Sequence, residues 1–159
     1  MELYYKVPKD SKTGKSFLSI IERLETFHKK AIAVAKKYGI KEMYNIGWQL
    51  CGVYTCHFEK QPDRKDWKKV DDGYMPKVRS KNKELLKDFD ELKKLSIERS
   101  EIDELIGNDN PFHQVGYHIF DDCIIFITDD KHDIKCKDTH MISNIEYMQL
   151  KERESQKLN

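Results

Sequence analysis

The sequence lacks most of the features that mark a chain for a particular task. Its four cysteines, Cys51, Cys56, Cys123 and Cys136, are too few and too scattered for a disulfide scaffold. Free thiols in a reducing, cytoplasmic setting are therefore the expectation. No apolar run approaches the ~18 residues of a membrane span. The opening Met-Glu-Leu-Tyr-Tyr-Lys has no basic-then-apolar signal pattern, so no membrane partner is expected. Seven glycines and four prolines leave no room for a long flexible linker. An excess of one charge is missing too. The 29 basic and 28 acidic residues leave a net charge of +1, so any polyanion must be bound through a local basic patch.

What is present is a charged but foldable chain. Charged residues make up 36% and apolar residues 38%, and the apolar ones are clustered, which separates the chain from disordered sequences. The 159 residues fit one α+β domain, with residues 151–159 as a frayed tail. A domain of this size buries roughly two-thirds of its unfolded surface, enough for a core without staples.

The pattern along the chain alternates between strand and helix. Residues 3–7 are apolar and aromatic and read as a strand that Pro8 ends. Residues 9–15 read as a basic loop. From Ser16, a plausible cap, Phe17, Ile20, Ile21, Leu24, Phe27, Ala31, Val34, Ala35 and Tyr38 recur at helical steps, and Gly39 is the natural stop. Residues 42–58 alternate with period two, too long for one strand, which predicts a hairpin or bulge near residues 49–52. Residues 59–73 read as an ordered surface loop and residues 74–78 as a weak strand. A second helix is predicted over residues 82–95, with Leu85, Leu86, Phe89, Leu92 and Leu95 on its stripe. Ser100 with Asp103 resembles a capping box for a short helix that Gly107 closes. Residues 113–120 and 123–128 read as strands joined at Asp121-Asp122, the second central because it is apolar on both faces. Residues 129–139 read as a polar loop and 141–150 as mildly helical.

This order predicts one mostly antiparallel sheet of about five or six strands, with one long and one or two shorter helices on one face. An internal echo adds a further idea. Pro8-Lys9 and Pro76-Lys77 each follow a tyrosine-bearing run and precede a Ser-Lys pair and a helix. Gly47-Trp48 and Gly116-Tyr117 repeat at a similar offset, 69 residues against 68. A duplicated β-α-β-β unit would explain the echo.

Gly14-Lys15-Ser16, after a strand and before a helix, resembles the tail of a phosphate-binding P-loop. The full pattern needs a glycine five residues before Gly14, where Lys9 stands. What remains is an anion site of helix-start amides with Lys9, Lys12, Lys15 and Ser16. A second basic stretch holds Arg64, Lys65, Lys68, Lys69, Lys77, Arg79, Lys81 and Lys83, with Trp67 and Tyr74 interleaved. Such rings can stack bases while the cations follow phosphates. Asp63, Asp66, Asp71 and Asp72 dilute that charge, and Trp67 also suits a core edge. If the two basic loops met, they would form one patch.

His132, Cys136 and His140, spaced by four, would share a helix face and suit zinc, with Asp129, Asp130 and Asp133 nearby. They also suit an ordinary polar loop, and no metal or other cofactor is assigned. Cys56-His57 alternate across a strand and form no dyad, and no catalytic residue is assigned.

The leading expectation is a non-enzymatic accessory protein that binds nucleic acid or a nucleotide. Its ligand-binding residues would be Lys9, Lys12, Lys15, Ser16, Trp67, Tyr74, Lys77, Arg79 and Lys81. A protein-binding inhibitor or adaptor is the second reading, with Tyr4, Tyr5, Trp67, Tyr74 and Phe112 as anchors and self-association included. A metal-dependent enzyme acting on nucleic acid is the third. In size and lysine content the chain resembles small accessory proteins of bacteria and their phages, a likeness that assigns no residue a role.

Overall fold

In a computed structural model of the chain, residues 1–45, 54–70, 72–110, 112, 114–129 and 134–158 are described. Among them are four helices and eight strands, in the order β1 (Glu2–Pro8), α1 (Lys12–Tyr38), β2 (Ile40–Asn45), β3 (Tyr54–Phe58), β4 (Trp67–Val70), β5 (Gly73–Pro76), α2 (Lys83–Leu95), α3 (Arg99–Ile106), β6 (Gly116–Ile119), β7 (Cys123–Asp129), β8 (His140–Ile142) and α4 (Asn144–Lys157). The fold class is α+β, as the element order implied. The strands do not form one sheet of five or six. They form two antiparallel four-stranded sheets, ordered β6-β7-β1-β8 and β2-β3-β5-β4. The chain, read from its sequence as one domain, divides into two compact units, residues 1–20 with 100–159 and residues 21–99.

The first unit is built on β7. Its residues Cys123 and Ile125 pack with Tyr4, Ile142 and Tyr147 in one apolar cluster, with Ile127 against it. Tyr4 and Tyr147 stack at 4.4 Å, which seats α4 on that face of the sheet. The opposite face carries Phe126, met edge-on at 5.0 Å by Phe17 from the start of α1. Both faces of this sheet are therefore covered, where helices on one face alone were expected. A strand buried on both sides must be apolar at every position, and residues 123–126 are all buried. The two-residue turn at Asp121-Asp122 is closed by the Phe120 amide donating to the Cys123 carbonyl at 2.9 Å.

The second unit packs residues 21–38 of α1 and helix α2 with the second sheet. Phe27, Val34, Ile40, Cys56, Trp67, Leu85 and Leu92 form its core. Gly39 ends α1 at φ +68°, a conformation that a side chain disfavours. The β2–β3 hairpin is present in its strands, while the turn near residues 49–52 lies outside the described residues. The predicted surface loop over residues 59–73 is partly a strand. Trp67, Lys68, Lys69 and Val70 pair with residues 73–76 as a second hairpin, around Asp71, which is outside the described residues.

Three boundaries differ from expectation for local reasons. Helix α1 begins at Lys12, so Ser16 is helical and not a cap. Ser11 takes that role, its hydroxyl accepting from the Gly14 amide at 3.0 Å. Helix α3 begins at Arg99, which places Ser100 inside it, and Asp103 instead accepts from the Asn108 side chain at 2.7 Å. Helix α4, capped by Ser143, runs to Lys157 through residues expected to fray. The supposed duplication does not form two self-contained β-α-β-β units. The leading strand of each half joins the hairpin of the other, β1 pairing with β7 and β5 with β3, so the two sheets repeat one strand order with those strands exchanged.

Candidate functional site

The two basic loops fall in different units, residues 9–16 in the first and residues 77–83 in the second. Each must be judged as a site by itself, and their chemistry differs.

The first loop is closed on its own chain. Lys12 and Lys15 are exposed, Lys9 and Ser16 are half-buried, and Thr13 and Gly14 are buried. The Thr13 amide, the donor a phosphate would need, already donates to the Asp138 carboxylate at 2.9 Å. That amide holds the Asp138 carboxyl below the usual carboxylate range. The Gly14 amide is taken by Ser11, whose own hydroxyl donates to the Pro8 carbonyl at 2.6 Å. The glycine has a packing reason. A Cβ on Gly14 would lie 2.1 Å from the Pro8 carbonyl oxygen, so the helix can start against the end of β1 only without a side chain. The Gly14-Lys15-Ser16 sequence thus serves the approach of the chain's own backbone.

The second loop is built differently. Between β5 and α2 the chain turns at residues 77–80, closed by the Ser80 amide donating to the Lys77 carbonyl at 3.0 Å. Asp66 holds the turn from both ends. Its carbonyl accepts from the Lys77 amide at 2.7 Å, and its carboxylate accepts from the Ser80 hydroxyl at 2.6 Å. Ser80 is buried, and its hydroxyl also accepts from the Asn82 amide at 3.0 Å. Asn82 in turn caps α2 by accepting from the Leu85 amide at 3.1 Å. One relay of hydrogen bonds therefore runs from Asp66, just before β4, through the turn into the helix. Lys77, Val78, Arg79, Lys81 and Lys83 stand exposed on this rigid base.

The neighbouring hairpin adds cations without adding free rings. Arg64, Lys65, Lys68 and Lys69 are exposed. Trp67 is only 5% exposed and meets Phe58 edge-on at 4.8 Å and Phe89 at 5.8 Å. It is a core residue, and its ring is not open to a base. Tyr74 is half-buried, with the Arg64 guanidinium over its ring at 5.8 Å. Two of the four acidic residues that diluted this stretch, Asp63 and Asp66, have structural duties. Asp63 accepts from the Lys65 amide at 2.9 Å, and Asp66 forms the clamp.

Other sequence candidates separate. His132, Asp130 and Asp133 lie outside the described residues. Cys136 sits in a turn, its thiol 3.0 Å from the Thr13 hydroxyl, and His140 opens β8, so these two share no helix face. Among the described residues no group of three His, Cys, Asp or Glu side chains could hold a metal ion. Burial pushes the Cys56 thiol up to about 12, which keeps it protonated and inert. Of the proposed protein anchors, Tyr4, Tyr5 and Trp67 are buried, whereas Phe112 is 88% exposed. No helix among the described residues is long and apolar enough to cross a membrane.

Asp66 and Val78 were not singled out by sequence reasoning. Asp66 read as charge dilution, because nothing local shows an aspartate reaching a serine fourteen positions on. Val78 read as the last residue of the weak strand over residues 74–78, whereas β5 ends at Pro76 and leaves it in the turn. No known family model matches the chain, and comparison with curated proteins and with solved structures finds no significant match.

Proposed function

We propose that this protein binds nucleic acid through the phosphate backbone, using the clamped turn between β5 and α2. Lys77, Arg79 and Lys81 are the contacting cations, and Arg64, Lys65, Lys68 and Lys69 extend the basic surface along the adjoining hairpin. The observation that carries the reading is the Asp66 clamp. Exposed lysine loops are ordinarily loose, and ordering them on a ligand costs entropy. Here the backbone part of that cost is met on folding, so three cationic side chains project from an ordered turn before any ligand arrives.

A polymer suits this geometry better than a free nucleotide. Nucleotide sites are concave, whereas the turn projects its side chains into solvent. A cleft of about 420 Å³ in the same unit, floored by Tyr38, Phe58 and Trp67, contains none of the three cations. The loop at residues 9–16 takes no part, because Asp138 already occupies the amide that an anion would need.

Fluorescence anisotropy of labelled oligonucleotides at low salt tests the reading. The wild-type chain should bind, and the combined Lys77→Gln, Arg79→Gln, Lys81→Gln variant should bind at least about tenfold more weakly. Equal binding by the two proteins, or no binding by the wild type, would remove the proposal.

A further inference from the structure

The tip of the clamped turn is apolar. Val78 is 92% exposed and stands between Lys77 and Arg79. A single exposed valine is ordinary on a protein surface. This one differs in being fixed. The turn around it is held at Lys77, just before it, and at Ser80, two residues after it, by their bonds to Asp66 at 2.7 and 2.6 Å. A rigid turn that projects one short apolar side chain, flanked by cations, has the chemistry of a wedge.

Resting on the nucleic-acid reading above, we propose that the ligand is duplex DNA and that Val78 enters its minor groove while Lys77 and Arg79 hold the phosphates on either side. Single strands are bound without sequence preference by stacking bases on open rings. Trp67 is buried and Tyr74 carries Arg64 on its face, so the described residues around this turn supply no open ring. The minor groove is about 6 Å wide, enough for the tip of a turn though not for a helix. Apolar side chains that enter this groove partly unstack a base step and bend the duplex. The groove floor over A·T pairs lacks the guanine amino group, and pyrimidine–purine steps such as TA deform most easily. The preferred site is therefore an A·T-rich segment with a central TA step, bent when bound.

The test uses 20-base-pair duplexes labelled at both ends, one with a central TATA and one with a central GCGC. Binding and end-to-end energy transfer are read together, for the full chain and for Val78→Ala. The wild type should bind the TATA duplex more tightly and bring its ends closer. Val78→Ala should still bind both duplexes, with the bend lost and the TATA preference reduced about fivefold to tenfold. Val78 touches no core residue that its loss would unsettle, and circular dichroism checks that the variant is folded. Wild-type binding without bending overturns the wedge and leaves the phosphate-binding reading standing. Equal bending by Val78→Ala, or tighter binding to a single strand or an RNA duplex, does the same. Failure of the wild type to bind any nucleic acid at low salt overturns both.

Discussion

Gly14 and Asp88 show how single positions settle what their neighbourhoods can do. Gly14 lies where α1 starts against Pro8, and a methyl group there would stand 2.1 Å from a carbonyl oxygen. Gly14→Ala should lower stability by about 1–3 kcal/mol, the usual cost of forcing atoms into a filled space, seen as a lower urea midpoint. An unchanged midpoint would show that the helix start can yield. Asp88 is a buried carboxylate on α2 that accepts from Tyr38 at 2.6 Å, Lys37 at 2.9 Å and Lys30 at 3.0 Å. Burial alone would raise its pKa, but the Tyr38, Lys37 and Lys30 bonds outweigh burial and hold it well below the usual carboxylate range. Burial and the hydrogen bond to Asp88 push the Tyr38 hydroxyl the other way, up to about 12. A carboxyl depressed in the folded chain stabilises fully above its unfolded value of about 4 and loses that contribution as pH falls through the folded value. Asp88→Asn should therefore cost about 2–4 kcal/mol near pH 7, a range that allows for the partial exposure of both lysines. The gap between variant and wild type should narrow below about pH 4. Urea titrations across that range measure it, and a gap independent of pH would refute the ion-pair account. Neither role was legible in the sequence: the partners of Asp88 lie 50 to 58 positions away, and the Gly14 contact depends on how closely the helix start folds back on Pro8.

At the scale of elements, legibility followed the length of the pattern. The nine-position apolar stripe of α1 with its Gly39 stop, the leucine stripe of α2, and the doubly apolar β7 all had local signals and are present where read. Strand β4 was read as loop because only its Trp67 is buried, leaving no alternation to detect, whereas β5 overlaps the weak strand read over residues 74–78. Strand β8 has three residues and exists through its pairing of Tyr4, Tyr5 and Lys6 with Ile142, Met141 and His140. The start of α1 was read late because Ser11, five residues before the better-looking Ser16, carries the cap. Of the site, the cations were legible from composition and the clamp was not. The clamp makes a prediction whose sign separates two accounts. If Asp66 merely opposes the basic surface, Asp66→Ala should strengthen nucleic-acid binding. If it positions the turn, Asp66→Ala should weaken binding about threefold to tenfold despite the added positive charge. Asp66→Asn, which keeps an acceptor for Ser80, should bind at least as well as the wild type. Anisotropy on the three folded proteins distinguishes the accounts, and tighter binding by Asp66→Ala would refute positioning.

For the whole molecule, the sequence echo has a counterpart in the topology. Pro8 and Pro76 each end a strand that leads into a helix, and each of those strands pairs with the second strand of the other half's hairpin, β1 with β7 and β5 with β3. One of the two turns is filled by Asp138, and the other is held open and armed with cations. A net charge of +1 gives the molecule almost no overall attraction for a polyanion, so binding must come from the local arrangement. The salt dependence of duplex binding tests this most directly. Each phosphate contact releases counterions and contributes about 0.9 to the slope of log K against log salt concentration. Replacing Lys77, Arg79 and Lys81 by glutamine should reduce the wild-type slope by about 2.7. An unchanged slope in a folded variant would place the phosphate contacts elsewhere and contradict the account.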